Sequence, residues 1–164
     1  MIIHLKNKDK LLLNGFKFKC CIGKKGAKKR KIEGDNSTPK GIFKFGTLYY
    51  RKDRVKKPNT KLKTKIINPN MGWCNDSESK YYNKEINIKK KIRFEKLYRK
   101  DYKYDYLIVI NYNVKKTISN KGSAIFLHLT NKNYKPTKGC VAIQKKDFLR
   151  ILPLINKNTK ISIR

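Results

Sequence analysis

Short runs of apolar positions, broken by polar and turn residues, dominate the chain as strand signals. Phe16-Lys17-Phe18-Lys19 repeats with period two, the pattern of a strand with one face in water. Ile2–Leu5, Leu11–Leu13, Phe16–Ile22, Ile42–Tyr50, Tyr104–Tyr112, Ser123–Leu129 and Ile161–Ile163 are short and rich in β-branched or aromatic residues. They are bounded by Gly, Asn or Asp, and read as strands. Asn14-Gly15 between two such runs predicts a tight hairpin. Leu107-Ile108-Val109-Ile110 is apolar on both faces and predicts a buried central strand. Helical spacing is confined to Phe148–Ile155, with Asp147 as its cap and Pro153 ending or kinking it. Lys84 to Lys100 reads as irregular structure or a short helix. Lys24–Pro39 and Arg51–Asn70 read as long loops. No repeat or composition break divides the chain, so one mainly-β domain over residues 1–164 is expected, with long loops and one or two short helices.

Composition narrows the function. Among 164 residues, 43 Lys and Arg face 11 Asp and Glu, a net charge of +32. No apolar run approaches the ~18–20 residues of a membrane span, and ten Tyr with seven Phe supply a core. Heavy use of Lys, Asn and Ile, with Ala only at Ala27, Ala124 and Ala142, matches a bias toward AT-rich codons. Glu also has an A-rich codon, yet occurs only at Glu33, Glu78, Glu85 and Glu95. Codon bias therefore accounts for lysines but not for missing carboxylates, and an acidic partner or surrounding is implied. Nucleic acid is not the expected partner: the lysines are dispersed, and no zinc-finger, RNP or GxxG element is present. The cysteines form no CxxC pair, and Cys20 or Cys21 bridged to Cys74 stays open. No signal peptide is visible at Met1–Lys6, which leaves the cytoplasm open.

The chemistry gathers near the C-terminus. His128 ends the hydrophobic strand Ile125–Leu129, and Cys140 follows Gly139 twelve residues later. A cysteine nucleophile needs a base within hydrogen-bond reach, and a loop between adjacent strands brings such a pair together. The N–H groups of Gly139 and Cys140 suit an oxyanion hole, and Lys132, Lys135 and Lys138 favour a thiolate. Read blandly, His128 is a strand-end histidine and Cys140 a small buried hydrophobe. His4 lies far away in sequence.

The run His128…Pro136-Thr137-Lys138-Gly139-Cys140-Val141-Ala142 resembles the active-site signature of the L,D-transpeptidases, the YkuD-type catalytic domain, in which a His precedes [Ser/Thr]-x-Gly-Cys. Gly34-Asp35-Asn36-Ser37-Thr38-Pro39-Lys40-Gly41 is similar to that family's GDG-x-TP-x-G loop. Gly72-Trp73-Cys74-Asn75-Asp76 with Tyr82-Asn83 is similar to its W-x-D…YN region. Tyr104-Asp105, Val109–Asn113 and Gly122–His128 match the strands approaching the histidine, and the resemblance is strongest over residues 16–155. Two positions depart from the commonest form: Lys138 stands where it has His, and Val141-Ala142 follow the Cys where it has Arg soon after.

The resemblance implies a β-sandwich and a cysteine acyltransferase of peptidoglycan tetrapeptide stems, needing no metal or organic cofactor. Cys140 is then the nucleophile, His128 the proton acceptor and donor, Gly139 part of the oxyanion hole, and Thr137 an orienting residue. Lys138, Trp73 and Asn83 are the substrate-binding candidates. Trp73 stacks on a sugar or covers the core, and Asn83 and Asp76 also suit loop fasteners. The implied place is the cell envelope or periplasm, and an anionic wall polymer accounts for the positive surface. Hydrolysis of the same thioester, an L,D-carboxypeptidase activity, is the alternative within enzymes. A basic module binding an anionic polymer, with Cys140 structural, is the alternative outside them.

Overall fold

The hairpin forms where the pattern places it. In the computed structural model, which describes residues 1–164, strands β2 (Lys10–Leu13) and β3 (Phe16–Cys21) pair antiparallel. Both turn residues between them have positive φ, 46° at Asn14 and 81° at Gly15. That is the twist a two-residue hairpin needs, and Asn and Gly tolerate it best. β1 (Ile2–Lys6) pairs with β2 on one side and, in parallel, with β14 (Lys160–Ile163) on the other.

The long strand β6 (Gly41–Tyr50) closes the sheet. Its first residues pair with β14, and Phe45–Tyr50 pair with β11 (Tyr106–Ile110). β11 continues to β12 (Phe126–Thr130), β12 to β13 (Val141–Gln144) in parallel, and β13 to β3. The ring β11-β12-β13-β3-β2-β1-β14-β6 therefore returns to β11, and β7 (Thr64–Ile66) adds to β6 from outside. The expected sandwich of separate sheets is thus a closed, barrel-like sheet. The bridge is a bend: β6 carries an extra residue opposite Ile108–Ile110, which lets one strand serve two neighbours in turn.

Period-two alternation now has a physical meaning on both faces of three strands. Tyr106, Ile108 and Ile110, Leu127 and Leu129, and Val141 and Ile143 point into a barrel core of 26 buried residues. Leu107, Val109, Phe126 and Cys140 point outward into a second cluster of 11. A small sheet built from β8 (Met71–Cys74), β9 (Glu85–Asn87) and β10 (Phe94–Lys96) brings Met71 and Trp73 to that cluster. Leu107–Ile110 is apolar throughout because each of its faces is covered.

Lys84–Lys100 accordingly holds two strands and no helix. The two long loops carry the two-residue strands β4 (Ala27–Lys28) and β5 (Thr38–Pro39), paired with each other, as well as β7. The helix α1 spans Lys145–Ile151, with a 3-10 turn at Leu152–Leu154 that takes Pro153. It starts ahead of Asp147, and Gln144 is the cap without a side-chain bond. Asp147 instead occupies the first turn, where a carboxylate meets the positive end of the helix. All four cysteines are free and buried, so no bridge joins Cys20 or Cys21 to Cys74.

Candidate active site

Parallel pairing of β12 with β13 sets His128 opposite Ala142. Cys140 lies two residues before Ala142, so it shares the outer face with His128. The loop between the strands is pinned by Thr137. Its N–H donates to the Ile22 carbonyl at 2.8 Å, and its carbonyl accepts from the Lys24 N–H at 2.9 Å. The Thr137 hydroxyl donates to the Cys140 carbonyl at 2.6 Å and accepts the Gly139 N–H at 3.1 Å. Thr137 thus orients the loop that carries Cys140 and not the imidazole. At Gly139 φ is +143°, and a Cβ would stand 2.9 Å from the Ser37 carbonyl oxygen, so only glycine fits between Cys140 and the 34–41 loop.

The thiol is held at both ends. Cys140 Sγ donates to the Ala124 carbonyl at 3.2 Å and accepts the Phe126 N–H at 3.3 Å. Burial pushes the thiol up to about 12, and the Glu95 carboxylate adds to this, while the Phe126 N–H, Lys31 and Arg99 pull the other way. His128 Nδ1 lies 2.9 Å from the Leu129 carbonyl oxygen. A carbonyl only accepts, so Nδ1 carries the proton and Nε2 keeps the ring's free lone pair. Burial also brings the imidazole down to about 4. The resting pair is a neutral thiol and a neutral imidazole. The thiolate expected from the nearby lysines is outweighed by burial, because desolvation disfavours the charged sulfur more than partly solvated cations favour it.

A family model for the YkuD L,D-transpeptidase catalytic domain matches residues 3–163. The chain belongs to this family. No curated protein and no solved structure matches it.

In this YkuD domain, Cys140 and His128 both line a cavity of about 1220 Å³ whose wall carries seven Lys or Arg side chains against two Glu. Lys138 is on that wall; Trp73 and Asn83 are not. Trp73 is buried, packed edge-on against Phe126 at 5.2 Å and Tyr49 at 6.4 Å. Asn83 Oδ1 accepts the Trp73 indole N–H at 2.9 Å and the Ala124 N–H at 3.1 Å. Its amide nitrogen donates to the carbonyls of Tyr112 and Asn113. Asn83 therefore reaches the site through Ala124, a residue with φ +52° whose carbonyl accepts the hydrogen bond of the Cys140 thiol. Asp76 fastens a turn by accepting the Glu78 N–H. His4 sits on β1, separated from β12 by three intervening strands.

Four side chains complete the site. Tyr104 packs edge-on against His128 at 5.3 Å, and its hydroxyl donates to the partly buried Glu95 carboxylate on the cavity wall, whose pKa desolvation raises. Arg99 lies 5.1 Å over the Tyr104 ring and is paired with Asp101. Lys31 is buried beside Asp35. Tyr104 fell within a run read as strand and within the family resemblance, but Lys31, Glu95 and Arg99 carried no signal in the sequence. Lys31 and Arg99 are two cations among 43, and only the scarcity of Glu could have drawn the eye to Glu95. No cluster of three His, Cys, Asp or Glu able to hold a metal gathers.

Proposed function

We propose that this YkuD domain is a cysteine-dependent L,D-transpeptidase acting on peptidoglycan tetrapeptide stems through a thioester. The observation that carries the reading is the placement of Cys140 and His128 on one face of adjacent parallel strands, both open to the same cavity. His128 Nε2 takes the thiol proton as Sγ attacks the carbonyl of the L-centre preceding the terminal D-residue. With a neutral resting pair, proton transfer accompanies attack, the arrangement of general-base catalysis. The tetrahedral intermediate collapses, the C–N bond breaks, and His128 returns the proton to the leaving amine of the D-residue. The acceptor amine then attacks the thioester, gives its proton to His128, and the new amide releases the Cys140 thiol.

Thr137 supports the loop, and Lys138 and the other cations of the wall attract the carboxylates of the stem. This substrate belongs to the cell envelope, and no helix of the chain is long and apolar enough to cross a membrane. Incubation with disaccharide tetrapeptides, followed by mass spectrometry, tests the reading. A 3→3 cross-linked dimer with release of the D-residue is expected. Tripeptide alone indicates an L,D-carboxypeptidase, and no turnover by folded protein leaves a basic polymer-binding module.

A further inference from the structure

The outward-facing residues of β1, β2 and β3 set lysine opposite lysine. Register places Lys10 across from Lys6 on one side and from Lys19 on the other. Three lysines therefore line up over adjacent strands, roughly 5 Å apart at the backbone. Two further rows lie beside this one. Lys17, Leu12, His4, Ser162 and Ile42 form the middle row, and Ile2, Lys160 and Lys44 the third. Their neighbours along each strand, among them Leu5, Leu11, Phe18 and Ile161, belong to the barrel core, so the rows form the barrel's outer face. Lys6, Lys10, Lys17, Lys19, Lys44 and Lys160 are all exposed.

Like charges directly opposite each other on neighbouring strands are destabilising, and no carboxylate relieves them here. The segments that build the face, residues 1–21, 41–46 and 160–164, hold one acidic side chain, Asp9. It pairs with none of these lysines, and the ion pairs of the chain all lie elsewhere. Lysines on a strand often blunt an exposed sheet edge. The ring of strands is closed, however, and none of β1, β2, β3 or β14 is an edge. The small sheet that covers β11 and β12 does not reach these rows either. Their charge pattern says which chemistry fits them.

Lysines are point charges on flexible stems, without the planar fork with which arginine grips one carboxylate. Rows of them suit a polyanion of high linear charge density, whose binding is driven by release of condensed counterions. Single-stranded nucleic acid is held by stacking its bases on aromatic rings. No Phe, Tyr or Trp stands in the three rows, and the Tyr134 ring beside them is covered by Lys19 Nζ at 4.8 Å. Tyr134 precedes Lys135, which lines the cavity that Cys140 and His128 share. The positive face thus continues to the wall of that cavity.

We infer that the outer face of β3, β2, β1, β14 and the start of β6 docks a base-free, phosphate-bearing chain of the cell wall, with Lys6, Lys10 and Lys19 as its central contacts. A polymer lying there is held alongside the cavity, which raises the local concentration of whatever the polymer carries. The choice of a wall chain as partner rests on the transpeptidase reading; the docking itself needs no turnover.

Fluorescence anisotropy with labelled poly(glycerol phosphate) tests this. In the triple variant Lys6→Gln, Lys10→Gln, Lys19→Gln, affinity should fall by ~50-fold at ~0.15 M salt. The slope of log K against log salt should become shallower by ~2, as three lost phosphate contacts require. The matched variant Lys56→Gln, Lys57→Gln, Lys61→Gln removes three exposed charges from another loop and should bind like wild type. A dT oligonucleotide of the same phosphate number should bind no tighter than the base-free chain, nor should phosphatidylglycerol vesicles at equal phosphate concentration. Equal losses in the two variants would mean that overall charge binds and not this face. Tighter binding of the oligonucleotide or of the vesicles would make nucleic acid or a membrane the partner. Each of these results overturns the inference. If the polymer docks as expected but disaccharide tetrapeptides are not turned over, the reading of Cys140 fails and the docking face remains, as that of a basic polymer-binding module.

Discussion

Acid should destabilise this protein through His128, over a pH window set by its burial. The imidazole is brought down from 6.5 to about 4 in the folded chain. Between those values the unfolded chain binds a proton that the folded chain does not, so stability falls as pH falls. The loss starts near pH 6.5 and is complete below about pH 4. A shift of roughly 2.5 units at 1.36 kcal/mol per unit corresponds to about 3 kcal/mol, a large share of the ~5–15 kcal/mol typical of a domain.

Other groups titrate nearby, so the comparison has to isolate the imidazole. Asp35, held down by Lys31 and its loop, contributes stability that is lost only below the ordinary carboxylate range. Glu95 is shifted up by burial, and its protonation in the folded state opposes the His128 effect. The perturbation is therefore His128→Asn, which removes the titration and retains an N–H for the Leu129 carbonyl. Urea unfolding of both proteins at pH 7, 6, 5 and 4 is the assay. With a slope of ~2 kcal/mol/M, the wild-type midpoint should drop by about 1.5 M more than that of the variant between pH 7 and 4. Parallel decline of the two proteins would refute the neutral, buried imidazole on which the proton-transfer argument depends.

Cys140→Ser should abolish turnover of muropeptides, and His128→Asn should lower it by ~10²–10⁴, both read by mass spectrometry of products. Asn83→Ala leaves the Trp73 and Ala124 N–H groups and two carbonyls without a partner; thermal unfolding should report a loss of ~2–4 kcal/mol. A carbapenem should give a single adduct, mapped to Cys140. Cys20 and Cys21 are buried, and neither lines the cavity that Cys140 and His128 share. Cys74 is buried within the small sheet. A stoichiometric adduct on any of these three would contradict the assignment.

Local patterns by themselves determined much of this protein. Short β-branched and aromatic runs bounded by Gly, Asn or Asp placed seven strands, and Phe16–Lys19 added period-two alternation, because a strand's side chains point alternately to its two faces wherever it ends up. Asn14-Gly15 specified its turn, because positive φ at two successive positions restricts the residues that fit. The Gly139-Cys140 element and His128 on its hydrophobic strand, weak as a pair, became the nucleophile and base candidates through the family resemblance of the motifs around them. Tertiary structure decided the rest. Barrel closure depends on β6 pairing with β14 through its first residues and with β11 through its later ones, which no alternation records, since both stretches read simply as strand. Trp73 and Asn83 look the same in sequence whether they meet a substrate or a core; the small sheet folding over β11 and β12 put them inside. The proton state of the site was equally hidden. Neighbouring lysines in the sequence suggested a thiolate, yet it is the depth at which Cys140 and His128 are buried that governs their charge. Lys31, Glu95, Tyr104 and Arg99 come from three separate segments, and only packing distinguishes a buried lysine from forty exposed cations, because desolvation is a property of the fold and not of the residue.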